Sequence, residues 1–343
     1  VRVTTKEVAE RAGVHKSTVS RALRDDPRIL KATRERLKKV AREMGYRPDP
    51  ALSIIAANRW QTRSNPSGAM LAYLDFQDAK QPERPECRYL REASAGLGYG
   101  FEKIRYRAYR SLSAMMRVLR ARGIQGLILG PMHKALDWER AVWEDFSAVN
   151  CIPGYFSPPF DAVLENDFAM VSLCVEKVRE AGYGRVGIAV LRHDFVNDDD
   201  RVRYAAASLC NNEAPAKLRV PPYAGGFGDC EGLRAWYKKH RPEAVVGFNR
   251  AVQIWLEMGG WESPRDHAFA TLRGTARDAY AGNWLDYGSL ADATVDMLDS
   301  MLRHGHRGLP KRPRRVLIEP LWQDGPTCPP AKSPARGHHG DSM

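Results

Sequence analysis

Apolar positions in the first 45 residues recur at helical spacing. Val8, Ala9 and Ala12 share one face of a short segment that opens on Thr4, with Glu7 three residues on, the pairing of a capping box. Gly13 breaks that segment. Val19, Ala22 and Leu23 mark a second segment from His15. Leu37, Val40, Ala41 and Met44 mark a third, closed by Gly45. Beyond residue 68 the rhythm changes. Apolar runs at 68–76, 101–109, 126–130, 151–156, 185–191 and 244–248 predict strands. The stretches 86–98, 112–122, 138–148, 168–181, 201–211, 231–239 and 252–258 predict helices. Short buried strands alternating with helices predict parallel, doubly wound α/β structure. Two such series predict two lobes with a ligand cleft beyond the strand carboxyl ends.

The 343 residues suit two or three domains, and 43% hydrophobic with 27% charged residues is ordinary for a globular chain. No stretch approaches the ~18 apolar residues of a membrane span. The opening VRVTTKEVAE has no apolar core of a signal peptide, so a cytoplasmic location and no membrane partner are expected. The net charge of +12 is unevenly placed: residues 1–63 hold 16 Lys/Arg against 7 Asp/Glu, leaving +3 for the rest. A basic module on a near-neutral body points to a polyanion, most simply nucleic acid, with a solubilising basic surface as the alternative. The six cysteines lack metal-ligand spacing, so no metal and no cofactor are expected. Asp194 and Asp198–Asp200 lack a calcium-loop pattern and read as a loop and helix cap. Gly96, Gly98 and Gly100 follow a helix and precede a strand, the reverse of a dinucleotide site.

A helix, a glycine turn and a second helix whose outer face carries Lys16, Ser17, Ser20, Arg21 and Arg24 fits helix-turn-helix DNA binding. A plain three-helix bundle has the same spacing. The segment from Val3 to Pro48 closely resembles the headpiece of the LacI/GalR family. It keeps Val3, Thr4, Val8, Ala9, Ala12, Gly13, Val14, Thr18, Val19, Ser20, Arg21, Leu23, Gly45, Tyr46 and Pro48 of that family's pattern. The resemblance implies that Lys16 and Ser17 choose operator bases and that Arg21 contacts base or backbone. Thr4, Thr5, Thr18, Ser20 and Tyr46 complete the DNA-facing set. His15, Arg24 and Leu30 depart from the usual Ser, Asn and Ser; His15 and Arg24 are expected to add DNA contacts.

The same resemblance implies a hinge helix at 49–60 that orders on DNA, with Leu52 in it and Ile55 as a minor-groove wedge. A linker helix packed on the body is the alternative. Residues 61–67 read as linker, 68–328 as a two-lobed effector-binding and dimerisation domain, and 329–343 as a disordered tail. The lobes are expected to be discontinuous, one taking about 68–157 and 278–306. The fold expected is thus an all-α helix-turn-helix headpiece (1–48) plus an α/β two-lobed, periplasmic-binding-protein-like effector domain. For the effector, the resemblance implies Arg201 or Arg203, and Asn249 followed by Arg250 in place of an acid; Trp284 stands where it could stack on a sugar. Glu165, Asn166 and Asp167 sit near another family segment. Arg250 suggests a negatively charged effector. The function expected is a homodimeric DNA-binding transcriptional regulator, a repressor, on near-palindromic double-stranded DNA. Its control is by a sugar-like ligand between the lobes or, alternatively, by a protein partner. No nucleophile, base or metal constellation supports an enzyme.

Overall fold

The structure is a computed structural model that describes residues 3–23, 29–46, 69–77, 84–132, 134–136, 139–154, 156–195, 197–274 and 279–331. Arg24, Leu52, Ile55 and the expected hinge and linker lie outside the described residues.

The N-terminal helices are α1 (Thr5–Ala12), α2 (Lys16–Leu23) and α3 (Lys31–Glu43). Their inward faces close a small core of Val8, Val19, Ala22, Leu37 and Ala41, each at most 4% exposed. Gly13 adopts φ 65° and its N–H caps α1 through the Ala9 carbonyl. This left-handed residue lets the chain turn sharply into α2.

The chain divides into two compact units, the first of which includes these N-terminal helices. The first takes the segments Val1–Leu164 and Tyr287–Val316, and the second Glu165–Asp286 and Leu317–Met343. The first crossing thus falls later than the residue 157 expected, and the return at 287 also later than 278. In chain order the elements are β1 (Met70–Asp75), α4 (Glu86–Gly96), β2 (Gly100–Arg105), α5 (Leu112–Ala121), β3 (Gly126–Leu129), β4 (Ser147–Cys151) and β5 (Asp161–Glu165). Then come α6 (Asp167–Glu180), β6 (Val186–Ala189), α7 (Asp198–Glu213), α8 (Cys230–His240), β7 (Ala244–Gly247), α9 (Arg250–Glu257), β8 (Ala268–Gly274), β9 (Ala281–Trp284), α10 (Tyr287–His304), β10 (Arg315–Ile318) and β11 (Leu321–Gln323).

One sheet has the order β10-β5-β4-β3-β1-β2 and the other β11-β9-β8-β7-β6. The pairs β6–β7, β7–β8 and β8–β9 are parallel, and β11 closes the edge antiparallel to β9. In the second sheet, successive side chains serve opposite faces. Ala268, Ala270 and Leu272 of β8 pack with α6 and α7, while Phe269 packs with α8 and α9. This period-two division buries both faces and explains why the strands read as short continuous apolar runs. Gly282 has φ 145°, and a Cβ there would sit 2.2 Å from the Thr271 carbonyl oxygen, so β9 meets β8 at a position only glycine fills.

Two element predictions change. The stretch 138–148 is not a helix: a 3-10 turn at Arg140–Trp143 leads into β4. The strand expected at 151–156 gives way to a bend, because Pro153-Gly154 cannot continue a ladder. The strands at β5, β8 and β9 lay unread in the sequence. The expected tail also starts too early. Tyr183 donates to the Pro329 carbonyl (2.8 Å) and Ala331 N–H to the Ala181 carbonyl (2.6 Å), so 329–331 are bound to the second unit. Among the described residues no helix is long and apolar enough to cross a membrane.

Candidate DNA-binding helix and ligand-binding cluster

Helix α2 carries Lys16, Ser17, Ser20 and Arg21 opposite buried Val19 and Ala22. The i,i+4 pairs Lys16/Ser20 and Ser17/Arg21 lie side by side, and Lys16, Ser17 and Arg21 are exposed. The helix has no acid in its first turn. Such a surface suits the acceptor-rich floor of a major groove and the phosphates at its rim.

His15 replaces the expected Ser cap in kind. Its Nδ1 accepts from the Ser17 backbone N–H (3.2 Å) and meets the Ser17 hydroxyl at 2.8 Å. The imidazole therefore satisfies one of the free amides that open α2. Thr4 is committed to α1. Its backbone N–H and its hydroxyl both donate to Glu7 Oε2 (2.6 and 2.9 Å), and its hydroxyl accepts from Glu7 N–H. The hydrogen bond from the Thr4 backbone holds the Glu7 carboxyl below the usual range. Thr5, Thr18, Ser20 and Tyr46 are half-buried, Tyr46 against the three-helix core. Leu30 begins α3 with no side-chain cap and is 78% exposed.

The second unit holds a buried cluster of charge at the carboxyl edge of its sheet. Parallel strands bring the residues after β6 and β7 and the end of β8 to one edge, and α6 and α7 start there. Arg203 is 2% exposed. Its Nη1 donates to Asp167 Oδ2 (3.0 Å), its Nη2 donates to Asp200, and its guanidinium lies over Phe248, 4.8 Å from the ring centroid. Arg273 lies over the same ring at 5.6 Å and reaches Asp167 (3.4 Å) and Glu165 (3.6 Å). Asp200 also accepts from His193 N–H (2.8 Å) and from the Asn197 side chain (2.6 Å). Phe227 packs edge-on against Phe248 and beside His193.

Burial pushes the Asp200 carboxyl up, but the His193 backbone, Asn197 and Arg203 outweigh it and hold the group below its ordinary value. Glu165 goes the other way: burial raises it, and Arg273 offsets this only in part. Glu165 Oε2 and the Nε atoms of Arg203 and Arg273 are buried without a hydrogen-bond partner.

Of the effector residues expected from sequence, the structure brings Arg203 into this cluster. Arg201 is exposed and faces Asp198 at 3.9 Å. Asn249 caps α9, its side chain accepting from Ala251 N–H, and Arg250 follows it on the exposed surface. Trp284 is 39% exposed at the end of β9, paired with Gly274. Arg273, Phe248, Phe227 and His193 were missed. Asp200 had been read only as a helix cap.

Comparison with known proteins bears on the first of these sites. Residues 4–49 match the family described as "Bacterial regulatory proteins, lacI family". Residues 4–49 are a LacI-family helix-turn-helix domain. The HTH-type transcriptional regulator MalR of Staphylococcus xylosus is 34% identical over 80 residues, 23% of this chain and 23% of MalR. The HTH-type transcriptional repressor CytR of Escherichia coli (strain K12) is 44% identical over 59 residues, 17% of each chain. The matched stretch thus spans under a quarter of either curated relative.

Solved structures extend the likeness to the whole fold. A lac repressor dimer bound to operator and the anti-inducer ONPF aligns with TM-score 0.54 at 17% identity, covering 96% of this chain and 100% of that one. A complex of the transcriptional regulator CelR with cellobiose aligns with TM-score 0.52 at 16% identity, covering 95% and 100%. A LacI transcriptional regulator from a Rhodococcus species gives TM-score 0.56 at 18% identity, covering 76% and 98%. These structures share the fold seen here, an N-terminal three-helix domain followed by two α/β units with largely parallel sheets.

Proposed function

We propose that this chain is a sequence-specific DNA-binding transcriptional regulator, a repressor, whose operator affinity answers to a small ligand held at the Arg203 cluster. The carrying observation is the LacI-family headpiece with its acid-free, outward Lys16–Ser17–Ser20–Arg21 face. Two copies would each take half of a near-palindromic site, as closed two-fold symmetry and the reach of one recognition helix require.

The chemistry of the cluster narrows the ligand. Its two guanidiniums are already met by three carboxylates, so it offers no spare positive charge to an anion. Arg250, which had suggested an acidic effector, stands outside it. Phe248 and Phe227 supply apolar faces, while unmet donors on Arg203 and Arg273 and an unmet acceptor on Glu165 await hydroxyl groups. This combination fits a neutral polyhydroxylated ring, a sugar or sugar derivative. The lac repressor and CelR structures, with ONPF and cellobiose bound, are compatible with it.

Binding sites selected from a random DNA pool at fixed salt test the first part; a near-palindromic consensus is expected. Enrichment of no sequence would refute specific recognition. Melting shifts with neutral pentoses, hexoses and disaccharides, against uronates and sugar phosphates, test the second. A response only to the anionic compounds would overturn the neutral-ligand reading. An operator-fused reporter then gives the sign of regulation.

A further inference from the structure

The first unit carries a second, separate feature. From Lys103 to Arg122 the chain has seven Lys/Arg and no Asp or Glu. Three of these cations are paired at the margins: Lys103 with Asp75, Arg120 with Asp145 and Arg122 with Glu102. Arg110 and Arg117 are exposed, and among the described residues no carboxylate lies within ion-pair distance of either. Between them runs an open groove of about 480 Å³. Its floor is apolar: Tyr109 at one end, then Ala114, Val118 and Ala121 at i, i+4 and i+7 along α5. The opposite face of that helix is spent on the core through Leu112, Met115, Met116 and Leu119.

We propose that this groove is a docking site for an acidic, amphipathic helical segment of a partner protein. Small side chains on the floor permit close approach of a helix, whose apolar stripe would cover Val118, 40% exposed in this chain. Glutamates flanking such a stripe would meet Arg110 and Arg117 in charge-assisted pairs. A second copy of this chain fits poorly, because a two-fold contact here would set the same cations against each other. Duplex DNA would satisfy the arginines through phosphates but would leave the apolar floor uncovered.

The test uses the full chain and three labelled 18-residue peptides followed by fluorescence anisotropy. One carries a leucine stripe flanked by glutamates, one replaces its glutamates with lysine, and one replaces its leucines with serine. The first is expected to bind at least tenfold more tightly than the others. Its affinity should fall at least tenfold in the Arg110→Glu/Arg117→Glu double variant and in Val118→Asp. These positions are exposed, and unchanged melting temperatures would show that the variants fold. Arg312→Glu, an exposed arginine elsewhere, should leave binding unchanged. Binding that ignores the groove variants would place the peptide on the basic headpiece and overturn the proposal. Equal binding of the serine peptide would reduce it to charge attraction. Displacement by non-specific duplex DNA, lost in the same variants, would make this a nucleic-acid surface. A change in sedimentation of Val118→Asp alone would make it a contact between copies.

Discussion

Leu30 is a residue in the wrong chemical role. It opens α3 with a leucine in water and no side-chain oxygen for the free amides. Leu30→Ser should therefore stabilise the headpiece by about 1 kcal/mol, read as a raised denaturation midpoint. A lowered midpoint would mean that apolar contacts of Leu30 outweigh the missing cap. His15 makes the converse case: His15→Ala should cost about 1 kcal/mol, while His15→Ser should recover most of it by restoring an oxygen acceptor. Deeper in the second unit, His267 is held neutral. Its Nδ1 accepts from the Tyr237 hydroxyl and its Nε2–H donates to Gln253 Oε1, both at 3.0 Å, and burial lowers its pKa from 6.5 to about 4. Between those values the unfolded chain takes up a proton that the folded chain refuses, so stability must fall as pH drops from 6.5 to about 4. The loss approaches about 3 kcal/mol at the acid end. In His267→Gln that part of the stability–pH curve should flatten; an unchanged slope would assign the acid sensitivity to other groups.

At the level of elements, the Arg203 cluster depends on helices and strands arriving together. Arg203→Ala leaves Asp167 and Asp200 buried without their shared cation, and such truncations cost about 3–5 kcal/mol. Chemical denaturation should show that loss and a smaller one for Arg273→Ala, whose side chain is one-third exposed. Equal effects would mean that the two arginines share the carboxylates evenly. The cluster also shows what a sequence can and cannot disclose. The family resemblance implied an effector arginine on α7, so Arg203 was one of the two candidates named there. Arg273 was not, because β8 is buried on both faces and its AFATLRG run carries no polar alternation to mark it as a strand. The sequence placed Glu165 and Asp167 only near a family segment, because the partners of Asp167, Arg203 and Arg273, lie 36 and 106 residues away along the chain. By contrast, the headpiece was legible almost in full. Its contacts are local, its caps are written in adjacent residues, and the one surprise is that an imidazole does the work of a hydroxyl.

For the whole molecule, charge and chain order set the behaviour. With most of the excess cations in residues 1–63, affinity for any duplex should fall steeply between 50 and 200 mM salt, whereas the ratio of specific to non-specific binding should change far less. Lys16→Ala should shift the selected consensus, while Arg21→Ala should weaken binding to many sequences; a Lys16 variant with an unchanged consensus would remove it from base readout. The division of the chain has a further effect, on birth rather than on function. The first unit is completed by residues 287–316, and Leu290, Ala291, Val295 and Leu298 of α10 are buried in it. A ribosome finishes the headpiece and five strands, then makes the whole 165–286 insert before it delivers that helix. At 5–20 residues per second the wait is on the order of 10 s. During it the apolar face that α10 will cover stands open in a nascent chain. Arrest of translation between residues 165 and 287 would therefore leave a fragment whose first unit lacks its closing helix, a natural client for chaperones.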